Sequence, residues 1–150
     1  MRTVSKTVIG VDFGTQSARA VLVNAENGEI IYSCRKEYPY NSTPVPAIDC
    51  AENLPCATDY EMTLYELLRN VIPEEYRKTV AGICIDATSL TMVLLAEDGR
   101  ALSELDGWSE AAHARVKLWK YHRAQEKADE ALNLASNLQE PFLGRTGGSI

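Results

Sequence analysis

The sequence predicts an α/β domain built on a mixed β-sheet, and three observations support this. Short apolar runs separated by tight turns fill the first 37 residues, a segment with helical spacing follows, and Val80–Asp86 is almost continuously apolar. A strand without polar alternation is typical of a parallel strand covered on both faces. We therefore expect Thr7–Phe13 at the centre of the sheet, Ala18–Asn24 and Ile30–Arg35 antiparallel on one side of it, and Val80–Asp86 parallel on the other.

The first two strands flank a polar turn, Gly14-Thr15-Gln16-Ser17. Glycine and small hydroxyl residues at a hairpin tip can present backbone N–H groups and hydroxyls to an anion. Asp12, at the end of the first strand, stands where a carboxylate could hold a hydrated Mg²⁺ against that anion. The alternative is a plain hairpin that binds nothing, because short motifs often match by chance.

The elements that follow are marked by their own turn and cap residues. Asn27-Gly28 predicts a hairpin turn and therefore the third strand. Residues 38–57 hold four prolines and are predicted to be a long loop. Thr58-x-x-Glu61 is a capping box that predicts the start of a helix, and Pro73 predicts its end or its restart.

The second half gives a weaker pattern. Leu90–Leu95 is apolar enough to predict another strand, followed by a turn at Asp98-Gly99. From Ser109 to Leu138 the apolar spacing fits one long helix, whereas Ala114–Trp119 alternates as a strand does. The spacing alone leaves these two alternatives open.

Composition narrows the functional class. The chain has 150 residues and a net charge of −6, with 45% hydrophobic and 24% charged residues. Because it has no long basic run, nucleic acid is not an expected partner. The N-terminus lacks the apolar region of a signal peptide, no apolar run could cross a bilayer, and the four cysteines show no C-x-x-C spacing. These features predict a cytoplasmic protein without membrane contact.

Two motifs carry a resemblance to a known family. The pattern D-x-G-T-x-S-x-R, from Asp12 to Arg19, resembles the first phosphate-binding motif of the sugar kinase, Hsp70 and actin superfamily, in the form found in the FGGY carbohydrate kinases. The segment Val116–Gln125, V-K-L-W-K-x-H-x-A-Q, follows a D-A-T-x-x-T-M strand end and resembles the ribulokinase branch. The resemblance implies an RNase H-like, actin-like ATPase fold. For residues 109–138 it favours a strand first and then a helix from about residue 121 or 122 to 136. It also implies that residues 1–150 are the N-terminal part of the first of two actin-like domains.

The resemblance implies an activity as well. The full-length enzyme would use ATP and Mg²⁺ to phosphorylate a ketopentose, with L-ribulose converted to L-ribulose 5-phosphate as the expected reaction. The general base would lie beyond Ile150, so the resemblance places no catalytic residue within the chain and implies that this segment alone is inactive. Alternatives are another sugar or polyol, such as D-ribulose or xylulose, or an ATP-binding module that phosphorylates no sugar. The partners expected are the sugar and ATP, with a homo-oligomer left open.

The resemblance also assigns site residues. Those expected to bind the ATP phosphates and Mg²⁺ are Asp12, Gly14, Thr15, Gln16, Ser17 and Arg19, with Asp12 holding the metal through water. Those expected to bind the sugar are Asp86, Thr88, Ser89, Trp119, Lys120 and His122.

Plainer interpretations stand beside the sugar site. The turn after Asp86 could be an ordinary polar turn, Trp119 a core residue, Lys120 a solvated charge and His122 the first turn of a helix. Two departures bear on the identity of the sugar. Leu54-Pro55-Cys56 stands where ribulokinases usually carry His-Pro, and Ser89 stands where they often have alanine.

Overall fold

A computed structural model describes residues 5–39, 54–109, 111–119 and 124–145 of the chain. The chain divides into two compact units, Met1–Trp119 and Lys120–Ile150. The first unit contains strands β1 (Thr7–Phe13), β2 (Ser17–Asn24), β3 (Ile30–Glu37) and β4 (Val80–Ala87) and helix α1 (Ala57–Val71). The second contains helix α2 (Gln125–Asn137). Short 3-10 turns are found at Glu74–Tyr76, Leu102–Glu104, Ala112–Ala114 and Pro141–Gly144.

The four strands form one mixed sheet in the order β3-β2-β1-β4. β1 pairs antiparallel with β2 and parallel with β4, and β2 pairs antiparallel with β3. The predicted sheet is therefore confirmed, including the central position of Thr7–Phe13. The turn between β2 and β3 has Gly28 at φ +75°, the left-handed region that glycine reaches without strain.

The core lies between helix α1 and one face of the sheet, which we call the covered face. Alternate residues of β1 and β2 point into this core, because successive side chains of a strand point to opposite sides of a sheet. Leu67 and Val71 of α1 pack against them, and each is at most 1% exposed. The buried residues of this cluster are Ile9, Val11, Phe13, Ala18, Ala20, Leu22, Tyr38, Leu67 and Val71.

The opposite side of the sheet, the open face, carries Gly10 and Asp12 of β1, Arg19 and Val21 of β2, and Cys84 of β4. These residues line an open cleft of about 340 Å³, together with Val11 and Asp86. On β4 every residue after Val80 is exposed. The first two strands are thus covered on one face, while β4 is largely uncovered on both. The expectation of a strand covered on both faces is therefore wrong for Val80–Asp86 among the described residues, because α1 packs mainly against β2 and β3.

Helix α1 begins two residues earlier than the sequence suggests. Its N-cap is Cys56, whose backbone N–H donates to Asp59 Oδ2 at 2.9 Å, so the reciprocal cap is formed by Cys56 and Asp59. The predicted box at Thr58 and Glu61 is wrong in detail. The Thr58 hydroxyl instead donates to Glu104 Oε1 at 2.9 Å. The helix ends at Val71, just before Pro73, as predicted.

The two later strands predicted from the sequence are not found. Leu90–Leu95 contributes only isolated bridges, from Met92 to Lys117 and from Leu95 to Ala101, both antiparallel. Ala114–Trp119 is likewise irregular, and its one bridge is with Met92 rather than with the sheet. The apolar alternation in Ala114–Trp119 reflects local packing, since Ala114, Val116 and Leu118 are buried while Lys117 is half-buried.

In the second unit, α2 spans Gln125–Asn137, so the described part of the predicted helix is confirmed to within one residue at its C-terminal end. Within the described ranges, no helix combines the length and the apolar character that a membrane crossing requires.

Candidate functional site

A row of four charged side chains crosses the open face of the sheet next to the β1–β2 turn. Strand pairing places Asp12 opposite Asp86 on one side and opposite Arg19 on the other, and Arg19 is paired in turn with Arg35. Directly paired residues point to the same face of a sheet and lie about 5 Å apart. Two carboxylates and then two guanidiniums therefore stand side by side.

The acidic end of this row has the donor chemistry that Mg²⁺ requires. Mg²⁺ is usually bound by one or two carboxylates and completes its shell with waters and substrate phosphates. Asp12 and Asp86, on neighbouring strands of the same face, provide such a pair. Among the described residues, no group of three or more histidine, cysteine or acidic side chains is arranged to hold a metal by itself.

The turn beside this row is a tight hairpin. The Gly14 N–H donates to the Ser17 carbonyl at 3.1 Å, which leaves Thr15 and Gln16 at the tip. A Cβ added at Gly14 would lie 3.1 Å from the Ser17 carbonyl oxygen, so a side chain here would press on the turn that it closes. Close approach of the backbone therefore favours glycine at this position.

Tyr38 holds this turn from the covered side. Its hydroxyl donates to the Gly14 carbonyl at 2.9 Å, and its backbone N–H donates to the Gln16 carbonyl at 3.3 Å. The residue is 2% exposed. Its ring centroid lies 4.9 Å from that of Tyr60 on α1, and the Tyr60 ring lies 5.8 Å from that of Phe13.

Tyr60 is the central ring of an aromatic cluster that it forms with Tyr38 and Phe13. Burial, aided by the negative charge of Asp59, raises the pKa of the Tyr60 phenol to about 12. Within the described part of the chain, its hydroxyl has no hydrogen-bond partner. The cluster therefore contains two phenols with different surroundings: one is bonded to the turn and one is not.

Ser17 is the first residue of β2. It is buried, and its hydroxyl accepts a hydrogen bond from Arg35 Nε at 2.9 Å. Arg35 also reaches Glu37 at 3.6 Å. The structure therefore gives Ser17 a bond to β3, and its predicted contact with phosphate stays a prediction.

The end of β4 meets the same turn. The Thr88 N–H donates to the Phe13 carbonyl at 3.0 Å, so the parallel pairing continues up to the hairpin. Thr88 and Thr91 share a hydrogen bond of 2.7 Å between their hydroxyls. Between them Leu90 has φ 59°, a backbone conformation that side-chain-bearing residues rarely adopt. Such local strain is often found near functional sites.

Trp119 also reaches the hairpin tip, although it does not lie on a strand. Its indole Nε1 donates to the Thr15 hydroxyl at 3.0 Å, and the residue is 58% exposed. The core-residue alternative for Trp119 is therefore wrong. The prediction that Trp119 ends a strand is also wrong, because the segment that carries it is irregular.

Of the predicted residues, Asp12, Gly14, Thr15, Gln16, Ser17 and Arg19 lie on or beside the hairpin, Asp86 lies near the end of β4, Thr88 and Ser89 follow β4, and Trp119 contacts the tip. Lys120 and His122 fall outside the described residues. Nearby, partial burial lowers the pKa of Lys117, whose ammonium donates to the Arg115 carbonyl at 3.3 Å.

Sequence reasoning missed Tyr38 and Arg35. Tyr38 stands at the start of the predicted proline-containing loop, which gave no indication of a contact with the first turn. Arg35 is paired with Arg19 only because the β2–β3 register shifts between Leu22 and Val23. The Asn27-Gly28 turn could have suggested a register, but this irregularity changes it by one residue.

Curated relatives match nearly the whole chain. It is 32% identical over 154 residues to a ribulokinase of Halalkalibacterium halodurans, with 97% of this chain and 27% of the relative covered. A ribulokinase of Mycolicibacterium smegmatis is 35% identical over 155 residues, with coverage of 97% and 27%. Ribulokinase 1 of Staphylococcus saprophyticus is 35% identical over 148 residues, with coverage of 95% and 28%. The chain thus spans little more than a quarter of the length of these relatives.

Solved structures give the fold. A gluconate kinase and a ligand-bound xylulose kinase, both from Lactobacillus acidophilus, each superimpose with a TM-score of 0.60 at 19% identity. In both cases 89% of this chain and 24% of the other chain are covered. No protein-family model matches the sequence. The mixed sheet with α1 on one face is that of the actin-like ATPase fold found in such sugar kinases.

Proposed function

We propose that this chain, which belongs to the ribulokinase-like FGGY carbohydrate kinases, contributes the phosphate-binding hairpin and part of the sugar-binding edge of an ATP-dependent ketopentose kinase. The proposed substrate is L-ribulose and the proposed product is L-ribulose 5-phosphate. Residues 1–150 would form the N-terminal part of the first actin-like domain of this enzyme.

One observation carries the proposal. The hydrogen bond from Trp119 Nε1 to Thr15 Oγ1 joins two segments that lie 104 residues apart in the chain. One segment resembles a phosphate-binding turn and the other the sugar-binding side of ribulokinases. In a phosphoryl transfer the two substrates must meet, because positioning and charge stabilisation supply most of the catalysis. Adjacent binding edges satisfy that requirement.

The hairpin would bind the phosphates of ATP. Backbone N–H groups and hydroxyls of a tight turn form an anion-binding concavity. Gly14, Thr15, Gln16 and Ser17 would form it, and Arg19 would add positive charge on the open face. Guanidinium groups stabilise transferring phosphoryl groups, whose negative charge is spread over several oxygens.

Asp12 would hold Mg²⁺ through water, and Asp86 would stand beside it. When bound, the metal neutralises phosphate charge during the transfer. Asp12 and Asp86 are direct neighbours in the strand pairing, so their negative charges repel each other. A divalent ion bound beside them would relieve this repulsion. These residues therefore fit the metal that the reaction uses.

The sugar would lie between the end of β4 and Trp119. The exposed indole offers a flat apolar wall to the ring or chain of a sugar, while Thr88 and Ser89 offer hydroxyls. Lys120 and His122 are proposed to complete this side. The general base is proposed to come from outside these 150 residues.

The test is a coupled assay of the full-length native protein with ATP, Mg²⁺ and purified sugars. We expect phosphorylation of L-ribulose, with D-ribulose and xylulose as weaker substrates. Trp119→Ala should weaken this activity, and Trp108→Phe, in a separate exposed turn, is its control and should retain wild-type rates. Hydrolysis of ATP that no sugar accelerates would instead identify an actin-like ATP-binding module, and would contradict the proposal.

A further inference from the structure

Behind the hairpin, Tyr38 makes two hydrogen bonds to the turn that the function proposed above does not explain. Its side chain and its backbone take up the carbonyls of Gly14 and Gln16, two of the four peptide oxygens of the turn from Gly14 to Ser17. A carbonyl oxygen carries partial negative charge and would repel a phosphate. A turn that binds anions must therefore direct its carbonyls away from the ligand.

The bond to Gly14 also orients a donor. The peptide between Gly14 and Thr15 is planar and trans, so its C=O and N–H point in opposite directions. Because the Gly14 carbonyl points to the Tyr38 hydroxyl on the covered side, the Thr15 N–H points toward the open side, where Asp12 lies. The position of one phenol oxygen thus determines where a predicted phosphate donor is aimed.

The tyrosine is well placed to hold that orientation. It is buried, and its ring packs against Tyr60 of helix α1 and through it against Phe13 at the end of β1. A side chain with few open rotamers loses little entropy when its hydroxyl forms a bond. From these contacts we infer that Tyr38 is a positioning residue for the phosphate-binding turn, acting through the Gly14–Thr15 peptide. The inference rests on the proposed function for the identity of the ligand.

Tyr38→Phe tests this, with Tyr60→Phe as the matched control. Both variants keep an aromatic ring in the same cluster and lose one buried hydroxyl, but only the first loses a bond to the turn. In the full-length native kinase we expect Tyr38→Phe to raise KM for MgATP by about two- to tenfold, the value of one hydrogen bond. KM for L-ribulose should stay within about twofold of wild type, and Tyr60→Phe should change neither.

A second measurement on the ligand-free protein separates this inference from the proposed activity. Amide hydrogen exchange and the ¹H–¹⁵N resonance of Thr15 should change in Tyr38→Phe and stay as in wild type in Tyr60→Phe. If no sugar is phosphorylated but the Thr15 amide responds, the proposed function fails and the positioning role stands. An unchanged Thr15 amide, or an active Tyr38→Phe enzyme with wild-type KM for MgATP, would overturn the inference. A rise in KM for both substrates together would show that Tyr38 acts on the whole site rather than on the turn, and would also overturn the inference.

Discussion

The β1–β2 hairpin and strand β4 belong to the same sheet but differ in what surrounds them. Ile9, Val11 and Phe13 of β1 are buried beneath α1, whereas Ile83 and Ile85, their neighbours on β4, are more than half exposed. The hairpin tip is held by Tyr38, and each of its two strands pairs with a neighbour on both sides. The segment after β4 is irregular and held by isolated bridges. The proposed phosphate side is therefore built on packed secondary structure, and the proposed sugar side is built on loops.

This difference suits the two proposed ligands, ATP and a sugar. Every nucleoside triphosphate presents the same phosphate groups, so a rigid turn of backbone donors can serve without change. Sugars differ in the position of single hydroxyls, and loops carried by a rigid scaffold are where such specificity usually resides. We expect substitutions in the hairpin to alter the rate of transfer, and substitutions after β4 to alter the choice of sugar.

The largest expected effect compares Asp12 with Asp86. Asp12→Asn in the full-length native enzyme should lower kcat by about 100-fold or more, since metal-ion charge stabilisation is worth several kcal/mol. KM for L-ribulose should change little, because the carboxylate is proposed to act on the phosphates. Steady-state kinetics with varied Mg²⁺ would measure both.

Asp86→Asn is the companion variant. Asp86 is one strand farther than Asp12 from Arg19, which is proposed to face the phosphates. The loss of Asp86 should therefore reduce kcat less than the loss of Asp12. Equal losses at the two positions would show that both carboxylates take part equally in holding the metal. A larger loss at Asp86 would reverse the proposed roles of the two strands.

The next effect concerns stability. Leu67→Ala removes a side chain that is 1% exposed between α1 and the sheet, and should lower the free energy of unfolding by about 2–5 kcal/mol. Ile85→Ala removes one that is 55% exposed, and should cost about 1 kcal/mol or less. Urea unfolding followed by circular dichroism would measure each. A cost at Ile85 as large as that at Leu67 would show that β4 is covered in solution.

Much of the packed region, which consists of strands β1, β2 and β3 and helix α1, could be predicted from the sequence. Turn residues such as Asn27-Gly28 act locally, and alternating apolar residues determine which face of a strand is buried, so β1, β2 and β3 follow from the pattern. The N-cap at Cys56 could not be predicted from the sequence, because cysteine is not a typical capping residue. Its backbone bond to Asp59 is recognisable only once the helix start is known.

The irregular segment after β4, up to Trp119, was harder to predict for a physical reason. Leu90–Leu95 has the composition of a strand, but a strand needs a partner, and Met92 finds one only at Lys117. Trp119 and Thr15 meet across 104 residues, a contact that no local pattern encodes. The family resemblance pointed to both residues, but their hydrogen bond depends on how the intervening segment packs.

A smaller effect distinguishes two parts of the Trp119 side chain. Trp119→Ala removes the wall and the N–H, and should raise KM for L-ribulose by about three- to tenfold, more than KM for ATP. Trp119→Phe keeps a ring but not the donor to Thr15, so KM for L-ribulose should return toward wild type. Initial-rate kinetics with each substrate varied would compare them. If Phe behaves as Ala does, the N–H rather than the wall is what the sugar side requires.

The smallest effect belongs to Tyr60 and is confined to alkaline pH. The folded protein raises the pKa of this phenol to about 12, above its ordinary value of 10, because burial and the Asp59 charge disfavour the phenolate. Between these values the unfolded chain releases a proton that the folded chain keeps, so stability falls as pH rises from about 10 to 12. Tyr60→Phe should remove this part of the loss, and Tyr65→Phe, on an exposed position of the same helix, should retain the wild-type dependence. Urea midpoints measured from pH 8 to pH 12 would decide. If the Tyr60→Phe and Tyr65→Phe curves coincide throughout, the aromatic cluster behind the turn admits water, and the hairpin is less tightly held than its contacts with α1 indicate.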